Sequence, residues 1–170
     1  MNEAEIAHLR RYLRSQSIRR TPAQLVEAFQ QVYQEFIQSL FSIPDGVFHT
    51  PPHVTEWSAA EIAEHVQAFL AVYEKAICTA IEDGKPPEDV QGAIDPPLRG
   101  ASKDELLAAL DASCQRLITV VLEAEPTLHL DITWGHFELG HMHWREWLLF
   151  ARVHLNEHLR QIQQLVEMRG

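Results

Sequence analysis

SAAEIAEHVQAFLAVYEKAI, residues 58–77, is the stretch from which the architecture can be read. Ser58 followed three residues later by Glu61 is a capping-box pattern, in which each side chain satisfies the other residue's orphan backbone N–H. From there Ile62, Val66, Phe69, Tyr73 and Ile77 recur at three- and four-residue spacing, which places them on one face of a helix. Asp83-Gly84 ends the pattern with a residue suited to a helix C-terminus.

Three further segments repeat this logic. Thr21-Pro22-Ala23-Gln24 combines a cap, a first-turn proline and a capping-box glutamine, and opens a helix running to about Leu40. Ser102-Lys103-Asp104-Glu105 opens another, whose apolar set Leu106, Leu110, Leu117 and Val121 continues to about Glu123, with Pro126 as a stop. A last helix runs from about Met142 to Met168, and a short helix precedes the first long one. No segment sustains the period-two alternation of a half-buried strand. The fold class is therefore all-α, a four-helix bundle. The segment GKPPEDVQGAIDPPLRGAS at 84–102, with four prolines and three glycines, is either a flexible lid or a crossover between parallel helices.

At 170 residues the chain reads as one domain, 1–170, large enough to bury a core without staples. Its longest apolar runs, such as LITVVL at 117–122, fall far short of the ~18–20 residues that span a bilayer, so no membrane association is expected. MNEAEIAHLRR lacks the apolar core of a secretory signal, and a cytoplasmic location is expected. Cys78 and Cys114 form no CxxC pair and read as buried, reduced thiols. The formal charge of −10 disfavours nucleic acid as a partner, and the basic stretch RRYLRSQSIRR at 10–20 reads as the solvated surface of a helix.

Ten histidines make an i,i+4 pair unremarkable by itself, and His49-Thr50-Pro51-Pro52-His53 is such a pair in a segment that cannot be helical. His154 and His158 differ in their face. Trp147, Ala151, His154, His158, Ile162 and Leu165 form the bundle-facing stripe of the last helix, so both imidazoles point inward. Two buried rings one turn apart burden the core with polar atoms, and a shared metal ion relieves that burden. His65 supplies a third candidate ligand, in the stripe Ile62, His65, Phe69 and Val72. It lies roughly 10 Å from the start of its helix, and His158 lies roughly 15 Å from the end of the last, so the depths match if these two helices are antiparallel. The second and third long helices then run parallel, and the 84–102 segment is a crossover.

Two motifs now coincide: WSAAEIAEH, with Trp57-Ser58, Glu61 and His65, and GHMHWREWLLFARVHLNEHLRQI, with its H-x-x-x-H followed by Arg160-Gln161-Ile162. Together they resemble the DinB/YfiT-like superfamily of bacterial metal-binding four-helix bundles, over about Phe29 to Leu165. The resemblance implies an up-down-down-up bundle, frequent homodimerisation, and one divalent ion held by a histidine of the second long helix and two of the fourth. Those positions match His65, His154 and His158.

Three neutral nitrogens leave a divalent ion an open position for water or substrate, unlike a closed structural site. Histidine ligation accepts zinc, nickel, copper or iron, and zinc or nickel is expected here. The expected function is a metal-dependent enzyme acting on a small molecule, a thiol S-transferase using a low-molecular-weight thiol or a hydrolase. The alternative is a non-catalytic metal-binding or dimerisation bundle. His136, His141 and His143, beside Gly135 and Gly140, read as surface or capping residues in a loop, Glu61 as a capping carboxylate, and Gln161 and Glu157 as exposed residues able to orient a ligand ring. A carboxylate-bridged di-iron bundle, hinted at by Glu5-x-x-His8 and Glu138-x-x-His141, needs both motifs facing inward on long helices, and is disfavoured because the first lies in a short N-terminal segment and the second contains Gly140.

Overall fold

The computed structural model describes residues 2–90 and 100–168. Its elements are α1 (Glu3–Arg19), α2 (Pro22–Ser42), α3 (Asp45–Phe48), α4 (Ala59–Cys78), α5 (Lys103–Glu123), β1 (Trp134–His136), β2 (Gly140–Met142) and α6 (Trp144–Glu167). The predicted starts hold because the caps form: Ser58, Thr21 and Ser102 each accept a hydrogen bond from the backbone N–H three residues on, and Glu61, Gln24 and Glu105 reach back to complete each box. Past Cys78, α4 widens into a π-helical turn over Thr79–Asp83. Gly84 then leaves it at φ 62, where a side chain would also meet the His129 ring at 3.0 Å.

α2, α4, α5 and α6 form the bundle, and side-chain contacts fix their directions. Arg152 of α6 donates to the carbonyl of Ala28, and Arg145 to that of Arg20, so α2 and α6 run parallel. Rings descending α6 meet rings ascending α4, His158 with His65, His154 with Phe69 and Trp147 with Tyr73, so α4 is antiparallel to both. The backbone N–H of Ala101 meets Glu64 near the start of α4, and Arg116 meets Glu74 farther along, so α5 runs parallel to α4. The result is the up-down-down-up bundle, and the connection between α4 and α5 is the expected crossover. Its residues 91–99 lie outside the described residues. Phe29, Phe36, Phe69 and Trp147 are fully buried where the helices face one another. Truncating one of these rings, as in Phe36→Ala, costs about 3–5 kcal/mol.

The structure departs from the sequence reading in three places. The N-terminal helix is not short: α1 has 17 residues, because Asn2 and Glu5 form a capping box and Ile6, Leu9 and Leu13 give it an inward stripe against the core. The segment before α6 is not a loop but an antiparallel hairpin, β1 pairing with β2. Val90 adds a parallel bridge to it, donating to the carbonyl of Gly135 and accepting from the N–H of Phe137. Val72 stands 39% exposed, off the buried face that carries His65, Phe69 and Tyr73.

Among the described residues, no helix is long and apolar enough to cross a membrane. Cys78 and Cys114 are buried and unbridged, and burial pushes both thiols up to about 12.

Candidate metal centre

His65 lies in the second turn of α4, and His154 and His158 occupy successive turns of α6. The antiparallel pairing of these helices brings one nitrogen from each ring to within 4.8 Å of the others. His65 Nε2 and His154 Nε2 are 3.3 Å apart. Two nitrogens of a tetrahedral ion, each about 2.0–2.1 Å from it, are separated by about 3.3–3.4 Å, so the spacing suits a shared cation.

The hydrogen bonding of His158 fits as well. Its Nδ1 donates to Gln161 Oε1 at 2.8 Å, which fixes the hydrogen on Nδ1 and leaves Nε2 as a lone pair. That Nε2 is buried and has no hydrogen-bond partner among the described residues. Neither does the buried Nδ1 of His154. At His158 Nε2 a cation on the lone pair can offset the desolvation cost, whereas His154 Nδ1 is not the nitrogen that meets His65.

Electrostatics keep the rings in the form that ligation requires. Burial pushes His154 down to about 3, helped by the neighbouring His158, His65 and His136 rings. Burial likewise pushes His158 down to about 4, against the opposing effect of the Gln161 hydrogen bond. Both are therefore neutral at pH 7. Phe69 stacks on His154 with centroids 4.4 Å apart and planes 6° apart, which seals the inner side of the cluster.

The outer side opens on a cavity of about 490 Å³, lined by Trp57, Ile62, Glu157 and Gln161 together with His154 and His158. Trp57, 38% exposed, lies 5.1 Å from the His65 ring and nearly parallel to that of His158. A ligand entering here meets His154 and His158 of the cluster directly, beside the Trp57 ring and the carboxylates of Glu56 and Glu157.

The sequence profile of the DinB superfamily matches residues 7–162, which takes in α2 to α5 and all three histidines. The chain belongs to the DinB superfamily. A crystal structure described as TT2238, a four-helix bundle protein, superposes with a TM-score of 0.66 at 19% identity, covering 85% of this chain and 99% of that one. That likeness shows the bundle fold. No curated protein gives a significant match.

The remaining histidines of this DinB-superfamily chain are placed differently. His143 caps α6, its backbone N–H donating to Glu146, as the capping alternative anticipated. His141 is exposed on β2. His136 is not at the surface, being 6% exposed against Trp147 and Phe150, where its Nδ1 accepts from the backbone N–H of Glu138 and Leu139. Burial lowers its pKa. The strict hairpin register that buries it is carried by only three residues per strand, too few for an alternation signal.

Glu61 is a capping carboxylate, bonded to the Ser58 backbone and hydroxyl. His49 and His53 are exposed in the irregular segment before α4. Glu5 and His8 are exposed on α1, and Glu138 and His141 belong to the hairpin, so neither Glu-x-x-His motif faces the bundle interior. Gln161 is the orienting residue the structure selects over Glu157, and its i+3 position from His158 was the signal for it.

Proposed function

We propose that this DinB-superfamily protein is a metal-dependent enzyme in which His65, His154 and His158 bind one divalent ion, zinc or nickel, for chemistry on a small molecule. The observation that carries this reading is the convergence of three ring nitrogens, at least two of the rings held neutral, at the wall of an open cavity. When bound in such a site, the ion lowers the pKa of a water or a thiol and so supplies a nucleophile near neutral pH.

The protein's own part is orientation and exclusion. Gln161 holds the His158 ring with Nε2 turned inward. Phe69 and Trp57 flank the cluster and limit water on two sides. Glu157 stands on the cavity wall, where a carboxylate can hold a proton leaving a substrate. Thiol S-transfer with a low-molecular-weight thiol stands slightly ahead of hydrolysis, because some members of the superfamily use such thiols, while others were proposed as hydrolases. A cytoplasmic homodimer is the form in which we propose it works.

Protein purified without an affinity tag should carry about one divalent ion per chain. Metal-loaded protein should consume an electrophile with at least one of a panel of bacterial thiols, and lose that turnover on chelation. Absence of stoichiometric metal from the wild type defeats the site assignment. Metal with no turnover on thiols, esters or amides favours the non-catalytic binding bundle.

A further inference from the structure

A second cavity, of about 630 Å³, shares no lining residue with the first and lies between α1, the hairpin and the first turn of α6. Arg10, Arg11 and Arg14 of α1 line it opposite His141 and His143, with Glu146 as the one carboxylate on its wall. Arg10 and Arg14 are one turn apart, so their guanidinium groups point the same way. The Arg10 guanidinium reaches over β2, where a Cβ on Gly140 would lie 3.5 Å from it. Gly140 also has φ 71, so the strand is bare at the place where the arginine crosses it.

Among the described residues, none of these three arginine side chains has an ion-pair or hydrogen-bond partner. A fourth cation stands close by. Arg145 is 6% exposed, and its guanidinium donates to the carbonyls of Pro126 and Arg20 and lies over the Trp144 ring, with no carboxylate partner among the described residues. The positive charges act on the same neighbourhood, since Arg145 and Arg14 both help to lower the pKa of His143 after the larger effect of burial. In a chain with 14 Lys and Arg against 24 Asp and Glu, three guanidinium groups sharing a cavity wall with one carboxylate, and a fourth nearby, form a local reversal of sign. Their mutual repulsion is relieved by a bound anion.

Apart from Thr133, the rest of the wall is apolar. Leu13 and Met142 are buried beneath the cavity, and Leu130 and Ile18 border it, Ile18 being 73% exposed. A concave site of this volume is in the range that encloses a small molecule. The net charge of −10 opposes an extended polyanion that would have to run past the groove.

We propose that this groove binds a small organic anion, a phosphate or carboxylate group carried on an apolar body, with Arg10, Arg11 and Arg14 on the charged end and Leu13, Leu130 and Met142 beneath the apolar one. Octyl phosphate, octanoate, inorganic phosphate and octyl glucoside separate the contributions in calorimetric titrations of the whole chain. Octyl phosphate or octanoate should saturate at one site per chain, and the tighter of the two identifies the headgroup. Inorganic phosphate and octyl glucoside should each bind at least about tenfold more weakly than that ligand.

Arg10→Glu and Arg14→Glu, both on the solvent side of α1, should each weaken binding about tenfold or more, and added salt should weaken it further. His158→Ala should leave it intact. The proposal is overturned if neither anion saturates, if octyl glucoside binds as tightly, if both arginine variants bind as the wild type does, or if His158→Ala abolishes binding.

Discussion

Six histidines of this protein fall into two groups of three, and the groups differ in what their nitrogens meet. In the hairpin and cap, His136 accepts from two backbone N–H groups, His143 lies against Glu146, and His141 faces solvent. Between α4 and α6, by contrast, His158 spends one nitrogen on Gln161 and turns the other, unpartnered among the described residues, towards two more imidazoles. Histidine density is shared by both groups, and His136 is as buried as His65 and His158, so neither property marks a metal site. Convergent lone pairs on rigid helices do.

That contrast can be broken most directly at the three proposed ligands. His65→Ala, His154→Ala and His158→Ala should each abolish stoichiometric metal, an affinity loss of about a hundredfold or more, measured by elemental analysis and competition with a chromogenic chelator. Retention of metal in any two of them would dissolve the distinction between the groups.

Acid should expose the same difference in metal-free protein. The folded-state values of about 3 for His154 and about 4 for His158 lie below the ordinary 6.5, so the unfolded rings take up protons first as the pH falls. Stability contributed by keeping these rings neutral is complete above about pH 6.5 and is lost towards pH 4, at up to about 1.4 kcal/mol per pH unit for each ring. Urea titrations of chelator-treated protein between pH 7 and 4.5 read that slope. His154→Phe should remove one ring's share, and an unchanged slope would contradict burial as its cause.

Smaller effects sharpen the contrast further. Gln161→Ala should weaken metal binding about tenfold without changing the ion count at saturation, because it loosens one ring and removes no ligand. An affinity equal to that of the wild type would show that the helix alone fixes the His158 ring. Least of all should follow His141→Ala, an exposed position in the hairpin: metal content unchanged and stability within about 0.5 kcal/mol, read by thermal melting.

Most of the architecture was legible because helix signals are local. Ser58 with Glu61, Thr21 with Gln24 and Ser102 with Glu105 announce helix starts within four residues, and the structure forms every one of those boxes. The convergence of His65 with His154 and His158 was legible for a different reason, since apolar stripes fix a face and helix rise fixes a depth. What escaped were features whose signal is tertiary. α1 holds only Leu13 and Ser17 fully buried, so its amphipathic face is thin in sequence and shows itself only against the rest of the bundle. The hairpin consists of two three-residue strands, and its third pairing comes from Val90, 46 positions before His136. In sequence the basic stretch of α1 reads as solvated surface, and only packing against β2 and α6 reveals that three of its arginines share a cavity.

Trp57 gives the protein an internal optical reporter. Trp134, Trp144 and Trp147 are at most 1% exposed, whereas Trp57 is 38% exposed and 5.1 Å from the His65 ring. Solvent-relaxed emission at the red edge of the spectrum therefore comes chiefly from one indole beside the histidine cluster. Quenching confined to that edge by a paramagnetic ion such as nickel would report occupancy in real time, with the three buried indoles as an internal standard.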